Sequence, residues 1–186
     1  MKKLISFSLT VLLSLSATIA QASVSCRALN SFSTTQKEAL NYAYYKGAPY
    51  NLGETLAAIT WQESSSGKIL INYRDPSASQ FHILANTALS YEGLPDTHMN
   101  VNAILTKLVL NRDYAAEIAL HILRADLKRF NGNRFLVWGA YNGGPTWQQK
   151  SPRTVTEVTA YANSIKKKVN ILSSCYEYWY DRHYIR

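Results

Sequence analysis

LGETLAAITWQESSSGK, residues 52–68, decides how this chain is read. Its first ten residues, through Trp61, predict an apolar helix directed into a core. Glu63 then arrives, followed by three serines and Gly67, which stop the helix. A carboxylate closing an apolar helix feels both desolvation and the negative end of the helix dipole. Both effects raise its pKa, and a protonated carboxyl is what a general acid requires. Taken alone, Glu63 reads more simply as a solvated glutamate at a fraying helix end.

The pattern on either side is mainly helical. Ser33 or Thr34 caps a helix through Tyr45, with Gly47 at its end, and Asn51 precedes the next. Residues 80–91, QFHILANTALSY, form a short amphipathic stretch. In VNAILTKLVL, Val101, Ile104, Leu105, Leu108 and Val109 share one helical face. Asp113 is placed to cap the following helix, with Tyr114, Ile118, Ile122 and Ala125 inward. FLVWGAYN is a compact apolar helix ended by Gly143-Gly144-Pro145. Ser151-Pro152 is a cap followed by proline at the first helical position. That last helix turns Val155, Val158, Ala162, Ile165 and Val169 inward. Alternating patterns are scarce, leaving room for one small β-hairpin near residues 67–80. With no repeat, linker or shift in composition, the fold class expected is mainly α, one domain over residues 23–186.

The first 22 residues read as a secretory leader. Lys2-Lys3 is a basic start, residues 4–19 are apolar, and Ala20-Gln21-Ala22 offers a cleavage site. A retained anchor would need a longer apolar run. Export makes a disulfide of Cys26 and Cys175, the two cysteines of the chain. Closing so long a loop is worth on the order of 4–5 kcal/mol in the chain-entropy treatment. The charge of +8 falls to +6 once Lys2 and Lys3 leave with the leader. A basic exported protein meets acidic polymers, among them cell-wall glycans with peptide carboxylates and anionic lipid. Nucleic-acid recognition has no motif here.

Three segments stand out as a set. They are Trp61-Gln62-Glu63-Ser64-Ser65-Ser66-Gly67, then Asp75 through Ala88, then Ala119 through Pro145. In order and spacing, from about Thr34 to Ile171, the chain resembles the lytic transglycosylase family, in its soluble transglycosylase-like catalytic domain. The resemblance rests on Glu63-Ser64 at a helix end and on Ser79-Gln80-Phe81-His82-Ile83 leading to Thr87-Ala88. It rests also on Glu117-Ile118-Ala119-Leu120, about 20 residues before Ala140-Tyr141-Asn142-Gly143-Gly144-Pro145. The middle segment departs from the family: Ser79 stands where the family has glycine, and His82 where it has glutamine.

The resemblance implies a goose-type lysozyme-like fold and a periplasmic enzyme acting on peptidoglycan glycan strands. It implies no cofactor and no metal. Glu63 would protonate the glycosidic oxygen between N-acetylmuramic acid and N-acetylglucosamine. It would then act as base on the muramoyl C6 hydroxyl, closing a 1,6-anhydro ring. The substrate's N-acetyl group can stabilise C1, one of the exceptions to two-carboxylate chemistry. Ser64 would bond the substrate, Tyr141 would hold Glu63 or the N-acetyl group, and Asn142 would contact sugar or peptide. Gln80 and His82 would line the cleft. Wall turnover, a secretion or conjugation apparatus or other cell-envelope machinery, or a phage are the settings open to such an enzyme, read here as a monomer. A hydrolytic muramidase and a silent glycan-binding or assembly protein are the alternatives.

The remaining polar residues have simpler accounts. A hydrolase needs a second carboxylate or another way to position water, and Asp75 and Glu92 are the candidates. Asp75 before Pro76 and Glu92 before Gly93 read as turn residues, and Glu54 as a helix-start acid. His82, His98, His121 and His183 have no metal-ligand spacing. The tail YEYWYDRHYIR, residues 176–186, reads as packing on the domain beside Cys175.

Overall fold

The computed structural model describes residues 26–181. The leader expected in residues 1–22, His183 and the end of the tail lie outside the described residues. After a helical turn over residues 26–30, the principal helices are α1 (Thr34–Gly47), α2 (Gly53–Ser64), α3 (Ala85–Glu92), α4 (His98–Leu110), α5 (Arg112–Arg129), α6 (Arg134–Gly143) and α7 (Pro152–Ser174). A last short helix, α8, runs over Tyr176–Trp179. Three two-residue strands, β1 (Ile71–Asn72), β2 (Ser77–Ala78) and β3 (Ile83–Leu84), form an antiparallel sheet in the order β1-β2-β3. The fold is mainly α with a small sheet, and the hairpin expected near residues 67–80 is its first half. Among the described residues no helix is long and apolar enough to cross a membrane.

Helix α2 is the centre of the packing. Leu56, Ala57, Ala58 and Ile59 are fully buried, because α1 covers one side and α7 another. Helix α6 is tied to the start of α2 by polar contacts: the Trp138 indole and the Arg134 guanidinium both donate to Thr55 Oγ1, at 3.3 and 3.4 Å. A second Arg134 bond of 2.7 Å reaches the Asn51 carbonyl. The close approach of α6 to the loop before α7 needs Gly139, where a Cβ would lie 2.6 Å from the Trp147 ring.

Capping chemistry sets most helix starts. Ser33 forms a reciprocal capping box with Gln36, and Ser151 caps α7 with Pro152 at its first position. Helix α5 starts differently from the sequence expectation. Asn111, not Asp113, accepts from the backbone of Tyr114. Asp113 lies in the first turn instead, paired with Lys46 at 2.7 Å and accepting from Tyr42 at 2.6 Å. The inner face of α5 is also rotated. Ala125 is exposed, while Leu123 and Asp126 are buried with Tyr114 and Ile118. The amphipathic stretch of residues 80–91 divides: residues 80–82 turn, β3 follows, and only then does α3 begin.

Cys26 and Cys175 form the expected disulfide, 149 residues apart. The described part of the tail packs beside it. Trp179 is buried, donates to the Leu172 carbonyl at 2.9 Å, and accepts at its own carbonyl from Asn41. Tyr44 meets Tyr176, Trp179 and Tyr180 edge to face, and Tyr176 stacks on Tyr180. Trp179→Ala removes the centre of this cluster. It is expected to lower unfolding stability by about 3–5 kcal/mol, measured by denaturant titration with the disulfide intact.

Candidate active site

Helix α2 stops abruptly after Glu63. Ser65, Ser66 and Gly67 all take positive φ, at 52°, 61° and 78°. The chain reverses so tightly that the Ser64 carbonyl accepts from both Lys68 and Ile69, each at 2.9 Å. Gly67 passes close to α1, where a Cβ would lie 3.0 Å from that of Ala39. Gln36 of α1 fixes the reversal by donating to the Ser65 carbonyl at 2.9 Å. The serines and the glycine therefore turn the chain away and leave the Glu63 side chain at the helix end.

Ser64, expected at the ligand, is fully buried. Its hydroxyl lies 2.9 Å from the Thr60 carbonyl and 2.8 Å from the Gln80 carbonyl, and accepts from Gly67 N–H at 2.7 Å. It joins the helix end to the strand region and has no face for a ligand. Gln80 is also buried, and its side chain lines a cavity of about 180 Å³ with Gly67, Leu70, Leu108 and Arg112.

The Glu63 side chain is 18 % exposed, and burial raises its pKa above the ordinary carboxyl value. Two groups act against burial: the Tyr161 hydroxyl, which donates to Oε1, and the nearby His82. Burial is the largest influence, and the net shift is upward. Tyr161 is half-buried on α7, and its hydroxyl is held far from ionisation by burial and by the Glu63 charge. Tyr141 hydroxyl is raised by burial and by the same charge, but it donates to the Phe81 carbonyl at 2.8 Å. Of the two roles expected of Tyr141, a hold on Glu63 or on an N-acetyl group, the first is taken by Tyr161. Tyr141 instead fastens the strand beside the carboxyl. Asn142 follows it on the exposed side of α6.

His82 is brought to the carboxyl as a near neighbour, with Nδ1 3.8 Å from Glu63 Oε2 and Nε2 2.9 Å from the Ile69 carbonyl. Gln62 and Trp61 extend the site along α7. Gln62 Oε1 accepts from Ser164 at 2.8 Å and from Lys168 at 2.7 Å. The Lys168 ammonium lies 5.5 Å from the Trp61 ring centre. Burial, and then the Lys167 charge, lower the Lys168 pKa. A groove of about 840 Å³ runs from Trp61 along Ser164, Lys167 and Lys168. Glu63 is not among its lining residues.

The other acids stay apart from Glu63. Asp75 is exposed in the hairpin turn, and Glu92 pairs with Lys107 at 2.8 Å. Among the described residues no group of three or more His, Cys, Asp or Glu could hold a metal ion. Tyr161 escaped the sequence reading, yet its position gave a signal: it falls beside Val158, Ala162 and Ile165 on the inward stripe of α7. A hydroxyl on a buried stripe needs an acceptor, and Glu63 supplies it. Compared with protein-family models, with curated proteins and with solved structures, the chain matches none.

Two measurements check these electrostatics. Tyr161→Phe removes a bond that favours the carboxylate, so Glu63 is expected to titrate at higher pH in the variant, read by carboxyl-carbon NMR. The second concerns stability. The folded protein holds the Glu63 proton more tightly than the unfolded chain does. Stability from this group is therefore full below the unfolded carboxyl value and is lost as pH rises through the raised folded one. Glu63→Gln abolishes that loss. The variant is expected to melt above the wild type at neutral pH, with the difference shrinking in acid, as thermal unfolding at several pH values would show.

Proposed function

We propose that the chain is an exported peptidoglycan lytic transglycosylase with a lysozyme-like architecture and Glu63 as its acid. The observation that carries this reading is the state of Glu63: buried at a helix end, raised in pKa, with Oε1 taken by Tyr161 and Oε2 left for chemistry. A carboxyl in that state can donate to a glycosidic oxygen near neutral pH. Burial, Tyr161 and His82 are the influences on Glu63, and a second carboxylate is not among them. In this reading the substrate's own N-acetyl group, rather than a carboxylate nucleophile, stabilises C1. Glu63 Oε2 gives its proton to the oxygen between N-acetylmuramic acid and N-acetylglucosamine, and the C1–oxygen bond breaks. The C6 hydroxyl then attacks C1 and closes the 1,6-anhydro ring, and its proton returns to Glu63.

Export is supported by the leader-like residues 1–22 and by the Cys26–Cys175 disulfide, which suits an oxidising compartment such as the periplasm. The basic charge suits glycan strands carrying peptide carboxylates. Secretion or conjugation machinery, or other cell-envelope assemblies, would place such an enzyme where a wall must be opened.

The test uses purified sacculi with the wild type and Glu63→Gln, reading released muropeptides by mass. Anhydro-ended products from the wild type and none from the variant are expected. Reducing-end products would make the protein a hydrolytic muramidase with the same acid. Intact binding with no release would leave a glycan-binding or assembly protein.

A further inference from the structure

His82 occupies a position that packing alone does not demand. Its backbone φ is +45°, in the left-handed region that non-glycine residues seldom enter, and Ser79 three residues earlier has φ +77°. Such a conformation persists only when its surroundings over-determine it. Here they do. Ser79 Oγ accepts from Phe81 N–H at 3.1 Å, Tyr141 holds the Phe81 carbonyl, and the Ser79 carbonyl accepts from His82 N–H at 3.3 Å. The result aims an imidazole that is 11 % exposed at Glu63.

The ring's protonation follows from its partners. The Ile69 carbonyl only accepts, so Nε2 carries the hydrogen of the 2.9 Å bond. In the neutral ring Nδ1 is then an open lone pair, and it lies 3.8 Å from Glu63 Oε2. That separation is too long for a direct hydrogen bond. It is short enough for one oxygen to lie within bonding distance of both groups. Oε1 is engaged by Tyr161, so Oε2 and Nδ1 are the two atoms presented together.

We infer that His82 Nδ1 is a catalytic base that takes the proton of the attacking oxygen and passes it to Glu63. The inference rests on the glycan-cleaving reading above and deepens it. Glu63 Oε2 first gives its proton to the departing glycosidic oxygen as the C1–oxygen bond breaks, leaving a carboxylate. The incoming hydroxyl forms the new bond to C1, and its proton moves to Nδ1, making an imidazolium. That proton then crosses to Oε2, which restores a protonated Glu63 and a neutral His82. No other reactant is needed. The pair spans less than the roughly 5–5.5 Å or 6.5–9.5 Å of carboxylates that flank a sugar from two sides. Both groups therefore meet one face of the ring, where the leaving oxygen departs and the new one arrives.

His82→Gly tests this without endangering the fold, since glycine is at ease at φ +45°. Release of anhydro-muropeptides is expected to fall by roughly 10²-fold or more. Added imidazole should restore much of the rate. Pyrazole, of similar size but too weak a base, should not, and neither should act on the Glu63→Gln, His82→Gly double variant. Undiminished activity in His82→Gly, or equal rescue by imidazole and pyrazole, would overturn the base role while leaving the enzyme intact. A wild type that releases nothing from sacculi would overturn the enzyme and the base together.

Discussion

The structure turns on the burial of one carboxyl, Glu63, where α2 ends against α7 and the small sheet. Taking an ionised carboxylate out of water costs several kcal/mol even after relaxation. A hydrogen bond to a charged group returns about 1.5–3 kcal/mol, and Glu63 has one such bond, from Tyr161. His82 adds attraction across 3.8 Å, and only when it carries charge. Burial outweighs both, and the carboxyl holds its proton to higher pH than a free one does. The elements that meet here supply that setting. Helix α2 carries apolar residues up to the carboxyl, α7 brings the Tyr161 hydroxyl, and the turn before β3 brings His82.

The sheet that carries this turn is held by unusual means. Strands of two residues have too few ladder bonds to stand alone. Their geometry comes from side chains that reach across elements: Ser64 to Gln80, Tyr141 to Phe81, and His82 to Ile69. Phe81 and Ile83 add burial. Each link acts on His82 itself or on a residue within two positions of it. The sheet behaves as an extension of the helical core, and its left-handed residues are tolerated because the core holds both ends.

Helix positions were legible because capping and periodicity are local. Ser33, Gly47, Ser151 and Pro152 act within one turn of themselves, and they mark the boundaries found. The errors came where one local rule had two candidates or where distance mattered. Asn111 and Asp113 both suit a cap, and the ion pair to Lys46 on another helix accounts for Asp113 in the structure. Ala125 fits the inward period set by Tyr114, Ile118 and Ile122 better than Asp126 does, yet tertiary packing chose the second. Glu63 itself was legible from its apolar approach and abrupt stop. Its partner was not, because Glu63 and Tyr161 lie 98 positions apart and the chain between them carries no local trace of their meeting.

Ser64 shows how a residue beside a functional group can be needed without touching a ligand. An acid at the end of a buried helix creates a local problem, since the last carbonyls lose their helical partners just where water is scarce. Continuing the helix would carry the chain past the site. A glycine cap alone would reverse it but supply no side-chain bond. Ser64 resolves this with one hydroxyl, which lies beside the Thr60 and Gln80 carbonyls and receives Gly67 N–H. The left-handed Ser65 and Ser66 follow from that anchoring, with Gln36 holding the reversed backbone. A serine directly after the acid is thus a structural consequence of placing the acid there. The same hydroxyl that stops the helix holds the strand that presents His82, so the geometry of acid and imidazole is set by one buried bond network.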